Sequence, residues 1–133
     1  MISTADIRDW LKSQNDLGAL WSIGRLEAEK EKRVCIYQRD AGTGQTAALG
    51  GSQATKTYVK RIQVLIHWNK NYRETEEAAQ TLYNLLRFNP RGTIGAQKFS
   101  YLDLLSEEPI DLGSDEHGIF ERTILLDVYY EGE

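Results

Sequence analysis

The chain of 133 residues has room for one domain with one core, and 41% hydrophobic against 27% charged residues is the balance of an ordinary globular protein rather than a disordered or fibrous one. A formal net charge of −4 removes the overall basic footprint of a dedicated nucleic-acid binder. The single cysteine, Cys35, excludes an intrachain disulfide; with no signal-peptide pattern and no apolar run of membrane-spanning length, the chain is expected to be made and kept in a cytoplasm.

Residues 3–14 read as a first helix: Ser3 followed by Asp6 gives a capping-box start, and Ile7, Trp10 and Leu11 form one apolar stripe, with Trp10 docking the helix on a sheet. Residues 17–28 alternate, with Leu17, Ala19, Trp21 and Ile23 on one side of a strand. The charged stretch 27–32 suits a solvated hairpin connection into a second strand at 33–38, and pairing of these two strands is the simplest outcome. Cys35 falls inside that strand, where a small apolar role is expected.

Residues 40–56 differ from their surroundings. Gly, Ala, Thr, Ser and Gln dominate, and Leu49 is the one large apolar side chain, so a flexible loop is expected. It reads either as an arm that orders on assembly or as a long hairpin tip. The clearest strand follows at 57–68, where Tyr58, Ile62, Val64, Ile66 and Trp68 share one strongly buried face.

Asn71 with Glu74 three residues on starts the main helix, Ala78, Leu82, Leu85 and Leu86 form its core stripe, and Phe88-Asn89-Pro90 stops it. A weaker strand over 96–105 puts Phe99 and Tyr101 on one face and Leu102 and Leu104 on the other. Residues 109–113 form an edge-like segment and 114–118 a polar turn. A long terminal strand then carries Phe120, Arg122, Ile124, Leu126, Val128 and Tyr130 on one face, with Ile119, Leu125 and Tyr129 opposite. Apolar residues on both faces imply a central position or burial by a neighbouring subunit. The fold class is therefore α+β: a single domain over 1–133, with a mixed, mainly antiparallel sheet, an N-terminal helix and one central helix packed on it.

Chemical motifs are sparse. The glycines at 42, 44, 50 and 51 approach Lys56-Thr57, but Thr55 stands where a phosphate-binding loop needs Gly, and Ala47 stands where a dinucleotide fingerprint needs its third Gly. Asp111, Asp115, Glu116 and His117 match no calcium-loop spacing, and His67, His117 and Cys35 are too few and too scattered for zinc. No nucleophile-elbow sequence accompanies Cys35 or either histidine. No catalytic, cofactor or metal site is assigned, and the chain reads as something other than an enzyme.

Charge, by contrast, is segregated. Residues 56–73 hold Lys56, Lys60, Arg61, Lys70 and Arg73 and no acid; residues 103–121 hold Asp103, Glu107, Glu108, Asp111, Asp115, Glu116 and Glu121 and no Lys or Arg. The two stretches read either as solvated faces or as unlike halves of a subunit contact. In the second reading Lys60, Arg61 and Arg73 face Glu107, Glu108, Asp111, Asp115 and Glu116 of a neighbour.

The order of "IHWNKNYRETEEAAQTLYNLL" and then "EPIDLGSDEHGIFERTILLDVYYEGE" resembles the minor capsid and tail-terminator-like proteins of tailed bacteriophages and prophages. That resemblance implies a structural protein of virion assembly, capping the head-proximal end of the tail tube as a ring of about six copies. Its implied partners are further copies of itself, the tail tube protein and head connector proteins. Genome DNA would pass through without specific binding, because phosphate affinity comes chiefly from Lys and Arg. The place of action would be the host cytoplasm during assembly and then the virion tail, with no membrane involved. A head-completion or head-tail connector protein is the alternative within virion assembly, and a small-molecule-binding enzyme with a pocket lined by His67 or Cys35 is the alternative outside it.

Overall fold

The computed structural model describes residues 1–40, 46–47, 56–89 and 91–132. Most of the 40–56 loop, including its glycines, therefore lies outside the described residues, as does the expectation that it is flexible.

Helix α1 (Thr4–Gln14) starts as its sequence dictates: the Ser3 hydroxyl accepts from the Asp6 amide at 3.0 Å, and the Asp6 carboxylate accepts from the Ser3 amide at 3.0 Å. These bonds hold the Asp6 carboxyl below the usual carboxylate range. Strand β1 (Leu20–Ile23) is shorter than the alternation over 17–28 predicts. Leu17 and Gly18 both take positive φ, and the Ala19 amide bonds back to Asp16, so a turn occupies the first part of that stretch.

Strand β2 (Arg33–Gln38) pairs with β1 as expected, but in parallel, which rules out the hairpin. The connection is anchored by tertiary bonds that no local pattern carries. The Lys32 amide donates to the Trp68 carbonyl, and His67 Nε2 lies 2.7 Å from the Ala28 carbonyl. The chain thus crosses over the end of a later strand before β2 begins.

Strand β3 (Thr46–Ala47) is a short partner of β4 (Lys56–His67), and β4 also pairs with β2 and, along its whole length, with the terminal strand. Helix α2 (Tyr72–Phe88) follows, its N-cap Asn71 accepting from the Glu74 amide at 3.0 Å. A β5 (Gly92–Ile94) to β6 (Gln97–Leu104) hairpin comes next, and β5 lies outside the alternating stretch over 96–105. Its turn needs Gly95, whose φ of +61° is costly for any residue with a Cβ. A register shift in β6 between Phe99 and Tyr101 separates two residues that simple alternation places together: Phe99 is buried and Tyr101 exposed. Strands β7 (Ile110–Ser114) and β8 (Phe120–Gly132) complete the chain.

The sheet order is β1-β2-β4-β8-β6-β5, with β3 beside β4 and β7 beside β8. Every pairing except β1 with β2 is antiparallel, so the sheet is mixed and mainly antiparallel, and the α+β class holds. Helix α1 packs against β1 and β2 and also against β5, so the sheet curls around it, while α2 packs against β4, β6 and β8. Ile62, Val64, Ile66, Leu82, Leu86, Ile124, Leu126 and Val128 are all buried in one cluster between sheet and helices. Trp10 meets Phe99 edge-on, with ring centroids 5.3 Å apart, and thereby docks α1. Strand β8 lies centrally in the sheet, and Leu125 and Tyr129 on its outer face are half-buried.

The outer sheet face carries Tyr37, Val59, Leu65, Leu125 and Tyr129, each half-buried. Arg39 lies across it, bonded to the Ile62 carbonyl at 3.2 Å and paired with the carboxylate of Asp127. No helix among the described residues is long and apolar enough to cross a membrane.

Candidate assembly surface

Glu107, Glu108 and Asp111 line one cleft, while Asp115 and Glu116 lie beyond the far end of β7. The loop after β6 is fixed from both sides: the Tyr83 hydroxyl donates to the Ser106 carbonyl at 2.7 Å, and the Ser106 hydroxyl donates to the Glu108 carbonyl at 2.6 Å. Glu107 and Glu108 are thereby presented to solvent from a pinned segment. Beside them a cleft of 390 Å³ is lined by Tyr72, Glu76, Asp111 and Arg122.

The floor of that cleft is a bonded chain. Arg122 is buried on the inner face of β8, between Phe120 and Ile124, and a cation there needs partners. Its guanidinium donates to the Tyr72 hydroxyl at 2.7 Å, and that hydroxyl donates to the Asp111 carboxylate at 2.6 Å. Glu76 and Asp111 stand 3.5 and 3.6 Å from the same guanidinium nitrogen. The Tyr72 hydrogen bond, then the Gly113 amide and the Arg122 charge, hold the Asp111 carboxyl below its usual range, and the same bond pushes the Tyr72 phenol up.

A pH dependence follows with a definite sign. Because the folded pKa of Asp111 is depressed, its contribution to stability is complete above the unfolded value of 3.8 and is lost as pH falls through the lower folded one. Asp111→Asn should therefore lose less stability than the natural chain between neutral pH and about pH 2.5, read from urea midpoints. Equal losses in the two proteins would show that Asp111 gains nothing from the cleft.

Asp115 caps the turn into β8, accepting from the His117 amide at 2.9 Å and the Ile119 amide at 3.0 Å. Burial pushes its carboxyl up, but these amides and the two histidines outweigh it and leave it lowered. Glu116 projects into solvent beside it. His67 is fully buried, with Nδ1 2.9 Å from Glu121 and Nε2 at the Ala28 carbonyl, so both ring nitrogens are engaged inside the fold. Cys35 is likewise fully buried. Among the described residues no cluster of His, Cys, Asp and Glu has the make-up to hold a metal ion.

The cations of residues 56–73 are dispersed. Lys60 points to the inner face, where its Nζ donates to Gln38 at 2.9 Å; burial lowers its pKa. Arg61 points to the outer face and lies 3.5 Å from Asp40. Arg73 is exposed at the start of α2, next to Tyr72 and so near the acidic cleft itself. About 20 Å of extended strand separates Lys60 from Ile66, which pairs with Arg122. The structure therefore gathers Glu107, Glu108 and Asp111 around one cleft and separates Lys60, buried on the inner sheet face, from Arg61 on the outer face and Arg73 at the start of α2.

Sequence reading missed Tyr72 and Arg122. The signal for Arg122 was present: a lone cation on an otherwise apolar strand face demands a partner. Nothing local marked Tyr72 as that partner.

Among the described residues the mixed sheet carries α1 and α2 packed against it, and Tyr72, Asp111 and Arg122 line the cleft beside β7. The chain matches the bacteriophage tail terminator protein family over residues 1–131, and it belongs to that family. Its role is structural and lies in assembly of the phage tail. Comparison with curated proteins finds no match.

Proposed function

We propose that the protein closes the head-proximal end of the tail tube as a ring of identical copies, stopping tube growth and presenting a surface to the head connector. The family match over nearly the whole chain carries this reading. In it, the partners are further copies of the chain, the tube protein and the connector, and the work is done by interfaces rather than catalysis. A closed ring needs two unlike patches on each subunit, and in this reading the exposed acids on either side of β7, Glu107 and Glu108 before it and Glu116 after it, supply one of them. Its counterpart is a cationic surface on the next copy. A subunit with a formal charge of −4 also suits a channel through which DNA slides without adhering. The protein assembles in the host cytoplasm and remains in the virion.

Loss of the gene distinguishes the two virion roles. Without the protein, electron microscopy of lysates should show tail tubes well beyond their normal length and no joined heads. Tails of normal length that merely fail to join would assign the chain to head completion instead.

A further inference from the structure

We infer that neighbouring copies join edge to edge, strand β1 of one pairing with strand β7 of the next, so that the sheets continue from subunit to subunit. This rests on the ring reading above and names its contact.

The sheet has two halves that share β4 and β8. Strand β2 pairs only with residues 62–67 of β4, and β7 only with residues 120–123 of β8, whereas β3 and β6 pair with the opposite ends of those long strands. One half therefore runs β1-β2-β4-β8-β7. Its rows can be followed from edge to edge: Ser22, Cys35, Leu65, Thr123 and Ile110 stand in one, Trp21, Val34, Ile66, Arg122 and Asp111 in the next, and, past a register shift in β7, Leu20, Arg33, His67, Glu121 and Gly113 in a third. Strands β1 and β7 are the two edges of that row, and neither has a further strand partner among the described residues.

Proteins normally blunt such edges with charge, proline or a covering element. The edge at β5 follows that rule: it is three residues long, α1 packs against it and its Ile94 is buried. The other pair is blunted in part, since β1 is four residues long with α1 packed against it and β7 follows Pro109 and shifts register between Asp111 and Gly113, yet both keep large apolar side chains in solvent. Leu20 and Ile23 on β1 are 61% and 38% exposed, and Ile110 and Leu112 on β7 are 37% and 48% exposed. Each edge thus lacks a further strand partner among the described residues and exposes two apolar side chains.

Direction and charge both favour joining these two edges to each other. From the observed pairings, β1 runs with β2 and β8, and β7 runs against β8, so β1 and β7 are antiparallel. A neighbour placed to continue the sheet would then make antiparallel pairs, the more stable ladder. Charge is unlike at the two edges. Glu107, Glu108 and Asp111 flank β7, with no Lys or Arg from residue 103 to 121. A groove of 820 Å³ beside β1 holds Arg25, Lys30 and Arg33 against Glu27 and Glu29. Two different edges meeting head to tail form a heterologous contact, the kind that closes a ring.

Cysteine pairs test this on assembled tails, using Ser22→Cys with Ile110→Cys, and Leu20→Cys with Leu112→Cys, because a disulfide needs Cα atoms about 4.4–6.8 Å apart. Natural Cys35 is buried and stays out of the reaction. Mild oxidation should give a ladder of covalent dimers, trimers and larger species with at least one double variant, and monomers with every single variant. Tails that hold several copies yet yield only monomers from both double variants would overturn the edge contact. So would a dimer from any single variant, which means like edges meet, or a cross-link to a different tail protein. A single copy per tail would instead overturn the ring itself.

Discussion

Truncating Leu82 or Ile124 to alanine lowers the stability of the folded chain by about 2–5 kcal/mol. Leu82 lies on the buried stripe of α2 and Ile124 on the inner face of β8, and both are shielded from solvent within the cluster that joins helix to sheet. Each substitution removes buried methyl groups and leaves a cavity that its neighbours can only partly fill. Ile124 is flanked in register by Val64 on β4, itself paired with Ile36 on β2, so strands on that side cannot close over the space without breaking their ladder. Since a domain of this size is stable by about 5–15 kcal/mol, either change removes a large share of the total. Denaturant midpoints read the effect directly. A cost under about 1 kcal/mol at both positions would mean that α2 does not depend on these side chains for its docking.

Reversing the exposed acids together, as Glu107→Lys, Glu108→Lys and Glu116→Lys, blocks tail completion while leaving the monomer folded. All three side chains are exposed, so the fold has little stake in them. Asp111 is left alone because it is bonded to Tyr72 and close to Arg122, and its reversal would damage the cleft. Exposed ion pairs are worth about 0–1 kcal/mol each, which is why single reversals should pass nearly unnoticed. Three reversals replace attraction with repulsion at every contact around a ring, and a loss of about tenfold or more in joined particles needs only about 1.4 kcal/mol in total. Rescue identifies the counterpart. Adding Arg25→Glu and Lys30→Glu should partly restore assembly if β1 meets these acids; restoration by Arg61→Glu and Arg73→Glu instead would vindicate the cations first picked out by charge segregation. Normal assembly of the triple variant would leave these acids as solvated surface.

The elements that were legible in the sequence are those whose stabilising contacts lie within one period of the chain. Ser3 with Asp6 and Asn71 with Glu74 announce both helix starts, because a cap and its partner sit three residues apart. The alternation in β4 and β8 announces two long strands with one buried face each, and the apolar residues on the second face of β8 are compatible with its central place, one of the two readings they allow. The order of these parts was enough to suggest the family that the match over residues 1–131 establishes.

Tertiary structure decided what depends on groups far apart in the chain. The parallel pairing of β1 with β2 rests on anchors at Trp68 and His67, more than thirty residues beyond the connection they hold. The bulge that splits Phe99 from Tyr101 comes from fitting β6 to β8 and has no composition of its own. Above all, sequence grouped Lys60, Arg61 and Arg73 by sign, but a strand sends adjacent side chains to opposite faces and a helix start lies elsewhere again. Charge along a chain is a linear property and a contact surface is not. Only the fold could show that Glu107, Glu108 and Asp111 line a cleft beside one open edge, and that the cations within reach of the other edge are Arg25, Lys30 and Arg33.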